Sequence, residues 1–265
     1  AMEAALALAC EARALTAAGL RLRNDDAQVG EIRLQDLLTD HLVRLLLGIL
    51  ALAAKKGGQP QIWRDVTSTL SRVNSARGGR EVGTQVDDDL TDYLQELRGW
   101  LDATPLNDNS GADLSQEIAA SLTDQLTAFA RIETAGHKRL FGDRPEDLAV
   151  TLEAFRIRLA QTLLRVDLWS SVADAFLDQD AVALLTVHRS KGLEYHTVFF
   201  IGLDSEQWWA HARDTLESTM TFFVGVSRAA ERLLFTQCDE RGAPAPLGDL
   251  YQDLQDAGVS VIRFD

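Results

Sequence analysis

Apolar positions recur with two different periods along the 265 residues, and the change falls near residue 180. Before it, apolar side chains return in steps of three and four, the mark of helices that bury one face. Glu3–Ala18 is rich in helix formers and is followed by Gly19, suited to a left-handed C-cap. Leu20–Arg23 then reads as a short strand. Gln35–Lys56 reads as one long buried helix, with Leu37, Leu38, Leu42, Leu45, Leu46 and Ile49 inward and Gly57-Gly58 as its stop. Ile62–Val73 and Asp88–Leu101 continue the helical pattern on either side of the loop 76–80, whose Arg77 and Arg80 read as solvated. Asp87, Asp88 and Asp89 suit the positive end of a helix better than a metal. After the linker 105–112, Asp113 and Gln116 have the spacing of a capping box. The helix behind them carries a stripe of Leu114, Ile118, Leu122, Leu126 and Phe129. Pro145 opens a longer helix, with one apolar face running from Leu148 to Phe176.

From Ala181 the pattern changes. Ala181–Val187 and Thr197–Leu203 are apolar runs of strand length, Arg213–Ala230 is helical, and Leu233–Phe235 is a third short run. Gly248–Ala257 reads as a helix and Val259–Phe264 as a last strand. Continuous apolar strands suit a parallel sheet covered on both faces. The fold class expected is therefore α/β: a parallel-sheet domain made of residues 1–34 and 179–265, interrupted by a large all-helical insertion over 35–178.

The polar residues gather where these strands end, where α/β folds hold ligands. TVHRSKGLEY at 186–195, followed by the VFF strand, resembles motif V of the UvrD/Rep-type superfamily 1 DNA helicases. TFFVGVSRA at 221–229 resembles their motif VI. The two occur in the family's order, and the resemblance implies that the sheet domain is the second RecA-like, P-loop NTPase-type domain of an ATP-driven motor. It implies that Arg228 is the arginine finger reaching the γ-phosphate, a role that suits a planar, permanently charged group able to make two hydrogen bonds. It implies that Glu194 accepts hydrogen bonds from the ATP ribose, beside Gly192, which allows a tight turn. It also implies that Thr186, His188, Arg189, Ser190 and Lys191 contact single-stranded DNA without reading its sequence. From its residues alone, His188 reads equally as a satisfied histidine at a strand end. Ser190 and Lys191 are neighbours on a turn and do not face each other as a nucleophile pair would.

The sequence departs from the family between the motifs. GLDSEQWWAHARD at 202–214 lacks the second glycine and the proline usual there, and the acidic run before motif VI is reduced to Glu217. Trp208 and Trp209 read as packing against the helical part, with base stacking as the alternative. No G-x-x-x-x-G-K-[ST] cradle occurs, so this chain alone is not expected to hydrolyse ATP. ATP and Mg²⁺ are expected on an N-terminal RecA-like domain outside it, which would be its partner together with single-stranded DNA, duplex junctions and repair proteins.

Charge and composition narrow this further. A net charge of −14 argues against bulk electrostatic coating of nucleic acid and calls for a localised track. Cys10 and Cys238, the 2 cysteines, stand far apart, so no zinc site or disulfide framework is expected and a cytoplasmic setting fits. The longest apolar run, Leu45–Ala54, is too short to span a bilayer, and Glu3 and Glu11 interrupt the opening stretch against a signal peptide. The reading is the C-terminal region of a 3′-to-5′ DNA helicase or translocase. Its rivals are a helicase-derived module that binds partners without translocating, and the motor part of a helicase–nuclease.

Overall fold

The computed structural model describes residues 21–25, 27–55, 57–76, 83–106, 111–130, 146–178, 180–237 and 245–261. The helix read at Glu3–Ala18 with its Gly19 cap, the Arg77 and Arg80 loop and Pro145 lie outside the described residues. Residue contacts divide the chain into two compact units, one of Arg21–Ala183 and one whose described part begins at Leu184.

In the first unit, strand β1 (Leu22–Asn24) pairs with β4 (Val182–Leu184), and the Val182 N–H donates to the Arg21 carbonyl over 2.8 Å. β2 (Gln28–Val29) and β3 (Ile32–Arg33) form a two-residue hairpin in which Gly30 takes a φ of 60°, as the first turn position of such hairpins demands. Among the described residues seven helices follow: α1 (Leu34–Thr39), α2 (His41–Ala54), α3 (Pro60–Ala76), α4 (Gly83–Ala103), α5 (Ala112–Phe129), α6 (Glu146–Leu163) and α7 (Trp169–Leu177).

The single helix expected over Gln35–Lys56 is two. Asp40 is extended, and its carboxylate accepts from the N–H groups of Leu42 (2.7 Å) and Val43 (3.1 Å), capping α2 and satisfying two donors that a continuous helix would have bonded elsewhere. α2 is the centre of the unit: Leu42, Val43, Leu46, Ile49 and Leu50 are fully buried, and α3, α4, α5, α6 and α7 all touch it. A helix apolar all round needs neighbours all round. Gly48 lets α3 approach, since a Cβ there would lie 2.7 Å from Val66 Cγ2.

Two more expectations are corrected. The helix after the linker begins at Ala112 with Gly111 as N-cap and no side-chain cap, so Asp113 and Gln116 make no capping box, and Leu114 is exposed while Ser115 and Ala119 complete the buried stripe. The long helix read through Phe176 breaks between Leu163 and Trp169, where Leu164 and Leu168 turn to solvent. α7 ends at Asp178 in the left-handed region (φ 51°), and the Asp178 carboxylate meets Arg21 and, at 3.7 Å, Arg158. Burial, then the charges of Arg165, Arg23 and Arg21, lower the Arg158 pKa to about 10, with Asp25 acting the other way.

In the second unit, β5 (Tyr195–Phe200) runs parallel to β6 (Ala229–Phe235), with Val198 opposite Leu233 and Phe200 opposite Phe235. Helix α8 (Thr215–Val226) connects them, and α9 (Gly248–Asp256) follows. The core here is Phe200, Leu203, Phe222, Leu247 and Leu250, with Trp208, Leu233, Phe235 and Tyr251 packed around it. The fold is thus mixed α/β, as read. The strands are not buried on both faces, however: Phe199 and Leu234, paired across the sheet, are exposed on the face opposite Phe200. The strand expected over Ala181–Val187 stops at Leu184 and gives way to a 3₁₀ turn at Val187–Ser190, because past that point its backbone bonds go into the turn. Arg213–Ala230, read as helical, is helix only over Thr215–Val226, and Ala229 and Ala230 already belong to β6. Residues 259–261 of the expected last strand are irregular, and the rest lies outside the described residues. Among the described residues no helix is long and apolar enough to cross a membrane.

Candidate functional site

The turn after β4 is held from within. The Thr186 carbonyl accepts from the N–H groups of Arg189 (3.0 Å) and Ser190 (3.2 Å), and the Leu193 N–H donates to the Ser190 carbonyl (3.0 Å). The Ser190 hydroxyl donates to the Val187 carbonyl over 2.6 Å and is buried, so it braces the turn. Thr186, His188, Arg189, Lys191, Gly192 and Glu194 are exposed on the same short stretch. Gly192 sits at φ 85°, a conformation that favours glycine, and a Cβ there would meet nothing within 4 Å. The residue is therefore required by the backbone bend and not by crowding.

Arg228 comes to this turn from the end of α8. Its Nε donates to the Val224 carbonyl (3.0 Å), its Nη2 to the Ser227 hydroxyl (2.9 Å) and its Nη1 to the Leu193 carbonyl (2.9 Å). Its own carbonyl accepts from the Tyr195 N–H over 2.8 Å. Main chain and side chain of Arg228 thus bracket Glu194, a residue 34 positions earlier in sequence. Glu231, the acid nearest along the chain, faces His196 instead, with the His196 Nε2 3.2 Å from its carboxylate. Gly225 fixes the approach of the helix to the turn and to β5. A Cβ there would stand 2.4 Å from Phe200 Cε2 and 3.4 Å from Val187 Cγ1.

The two tryptophans separate. Trp208 stacks on Phe200 with centroids 5.5 Å apart and meets Phe222 edge-on, so it packs on β5 and α8 within its own unit. Trp209 is exposed, with the Arg213 guanidinium 5.0 Å from its ring centre.

One polar cluster has no counterpart in the sequence reading. His211 is buried, with Nδ1 3.0 Å from the Ser218 hydroxyl and Nε2 2.9 Å from Asp249. Because a carboxylate only accepts, Nε2 carries the proton toward Asp249. Partial burial by itself raises the Asp249 pKa, but the hydrogen bond from His211, then that from the Leu250 N–H, and the His211 charge outweigh it and hold the carboxyl below its ordinary range. Ser218 lies buried in the first turn of α8, closed to any substrate, so the cluster ties the loop to α8 and α9. Asp249 stands 38 residues from His211, and no local pattern announces that pairing.

The comparisons with known proteins agree with the two motifs. A family model described as the UvrD-like helicase C-terminal domain matches residues 84–240. The chain is 28% identical over 158 residues to the ATP-dependent DNA helicase PcrA of Bacillus subtilis, covering 57% of this chain and 20% of that protein. It is 32% identical over 131 residues to DNA helicase II of Salmonella typhimurium, covering 48% of this chain and 17% of the relative. Over 67 residues it is 37% identical to the ATP-dependent DNA helicase Rep of Escherichia coli, covering 23% of this chain and 10% of the relative. The chain thus spans about a fifth or less of the length of the curated relatives it matches.

Proposed function

Since this chain belongs to the UvrD-like helicase C-terminal domain family, we propose that it is the C-terminal region of an ATP-dependent DNA helicase or translocase moving 3′ to 5′. Residues 1–34 and 179–265 are assigned to its second RecA-like domain and 35–178 to a helical insertion, and Arg21–Leu34 pack with the helices of the first unit. ATP and Mg²⁺ are held mainly by an N-terminal RecA-like domain of the parent protein. Arg228 reaches across to stabilise the transferring phosphoryl group, and Glu194 with Gly192 receives the ribose. The exposed Thr186, His188, Arg189 and Lys191 take the phosphates of single-stranded DNA, and Ser190 supports them from inside the turn. Duplex junctions and repair proteins complete the set of partners.

The observation that carries this reading is the double tie between the motifs, Arg228 Nη1 to the Leu193 carbonyl and the Tyr195 N–H to the Arg228 carbonyl. Any shift of the DNA-side turn moves the residue proposed to sense the γ-phosphate, which is the coupling a motor needs. A second reading, a partner-binding module that does not translocate, draws on α8, whose outer face exposes Leu216, Met220 and Phe223 at helical spacing.

The deciding measurement is ATP hydrolysis by the full-length parent with and without single-stranded DNA, for wild type and Arg228→Ala. We expect a DNA-stimulated rate that drops about 10³-fold or more in the variant. A parent without DNA-stimulated hydrolysis, or a variant that hydrolyses normally, would put the partner-binding reading in front.

A further inference from the structure

Positive charge collects at one corner of the larger unit, although the chain as a whole carries −14. Four arginines lie close enough to act on one another where α7 ends at Asp178: Arg21 and Arg23 at the start of β1, Arg158 on α6, and Arg165 just past the end of α6. Arg23 is neutralised in place. Its Nε and Nη2 donate to the Asp25 carboxylate, and its Nη1 donates to the Leu177 carbonyl over 2.7 Å. The other three share one buried carboxylate. Asp178 accepts from Arg21 through one oxygen, and its second oxygen stands 3.7 Å from Arg158 Nη2. Arg165 pairs with no acid among the described residues, and its Nε donates to the Gln161 carbonyl (3.3 Å) in the last turn of α6. Asp167 and Asp180 are exposed acids nearby in sequence, and among the described residues neither forms an ion pair with these arginines.

Helix capping does not account for this surplus. A helix C-terminus attracts a cation to its last carbonyls, as Arg158 does at the Phe176 carbonyl and Arg165 at that of Gln161. Further cations at the same place repel one another. Burial first, then the charges of Arg165, Arg23 and Arg21, lower the Arg158 pKa to about 10, and burial followed by the Arg21 charge lowers that of Arg165. The Arg158 side chain is only 10% exposed, so water screens its charge poorly. Its Nη1 and both Nη groups of Arg165 donate to no group among the described residues. Arg165 is exposed and the Arg21 side chain is 57% exposed, so the corner is open to a ligand. Free planar donors around an uncompensated charge suit an oxyanion. A phosphate group has oxygens enough to bridge two guanidinium forks, and paired N–H···O bonds to phosphate are what arginine makes best.

We propose that Arg21, Arg158 and Arg165 form a phosphate-binding site at the corner where β1 meets the ends of α6 and α7. The phosphate oxygens accept from the free N–H groups of Arg165 and Arg158, Arg21 closes the site on the solvent side, and Asp178 holds Arg21 and Arg158 in place. Two sources carry this group, the phosphodiester of a nucleic-acid backbone and a free phosphate, and their shared chemistry is what the corner recognises. None of these residues belongs to the unit that carries Arg228, Glu194 and the turn at 186–191, so the site stands independently of the motor reading.

The test follows the arginine Nε–H signals of the 265-residue chain by NMR at constant ionic strength. The probes are inorganic phosphate, a short DNA duplex, and tetraglutamate as a carboxylate control. We expect saturable shifts of the Arg165 and Arg158 signals with at least one phosphate probe, and none with tetraglutamate. Arg165→Gln identifies its own signal by removing it and weakens the binding seen at Arg158 about tenfold, the loss expected for a hydrogen bond to a charged group. For DNA it also reduces the slope of log affinity against log salt by about 1. Arg21→Gln weakens binding in the same direction. Arg64→Gln, which removes an exposed arginine of α3 held by Gln61, leaves it unchanged. Saturation by the duplex alone assigns a nucleic-acid backbone, saturation by inorganic phosphate alone assigns a free phosphate, and saturation by both supports the group common to them. Failure of both to saturate overturns the proposal. So does equally tight binding of tetraglutamate, which would give the corner to an acidic partner segment. Binding unchanged in both Arg165→Gln and Arg21→Gln overturns it as well, because the anion would then sit elsewhere on the chain. Helical circular dichroism equal to wild type accompanies each variant.

Discussion

His211 illustrates how one residue sets a pH dependence without standing in the chemistry. Its bond to Asp249 keeps that carboxyl below its ordinary value of 3.8, with the opposing desolvation too small to reverse the sign. A carboxyl depressed in the folded state contributes stability that is fully present above its unfolded-state value and lost as the pH falls through the folded one. The loss therefore begins near pH 4 and continues below it. The Asp249 side chain is 52% exposed, so solvent screens the effect to under about 1 kcal/mol. Asp249→Asn still accepts a hydrogen bond from His211 but does not titrate. Urea unfolding at a series of pH values should show wild type more stable than Asp249→Asn near pH 6, with the gap closing in acid. A gap that stays constant across the series would separate the His211 contact from any role in acid stability.

At the scale of elements, Gly225 decides how close α8 comes to β5. Replacing a glycine inside a helix by alanine gains up to about 1 kcal/mol in propensity. Here the new Cβ would stand 2.4 Å from the Phe200 ring, and that ring is wedged among Trp208, Phe222 and Phe235 and cannot swing aside. Overpacking of this kind costs about 1–3 kcal/mol, so the steric term wins. Gly225→Ala should lower the urea midpoint with no change in the slope. A midpoint that rises would mean that α8 relaxes away from the sheet freely.

The same packing explains what the sequence could and could not announce. α3, α4 and the helical part of α8 were legible because each has one dominant buried face. The break at Asp40 was not, because Leu37, Leu38 and Leu42 keep helical spacing across it, and only the carboxylate's two bonds to the next turn reveal the cap. The break after Leu163 is hidden in the same way by Val166 and Trp169, which continue the apolar rhythm through a segment whose Leu164 and Leu168 face solvent. At the site, strand-end polar residues pointed to the turn, but the inward side chain of Ser190 and the separation of Trp208 from Trp209 depend on packing with residues distant in sequence.

Over the whole molecule, the two units have separate cores. Every member of the larger one, from Val29 to Phe176, lies within Arg21–Ala183, and the smaller one runs from Phe200 to Leu250. The larger unit also closes on itself. β1 and β4 pair, the Val182 N–H meets the Arg21 carbonyl, and Arg23 donates to the Leu177 carbonyl over 2.7 Å, so its two ends are fastened beside each other. A segment with its own core and adjoining ends meets the physical conditions for an autonomous domain. A polypeptide of residues 21–183 alone should therefore be monomeric, strongly helical by circular dichroism, and should melt in one cooperative transition. The corresponding piece 184–265 holds a small core and an exposed pair at Phe199 and Leu234, and domains of that size are marginal. It should melt earlier or not cooperatively at all. A non-cooperative or aggregated 21–183 polypeptide would mean that its stability depends on residues outside its own core, and the chain would then have to be treated as one folding unit.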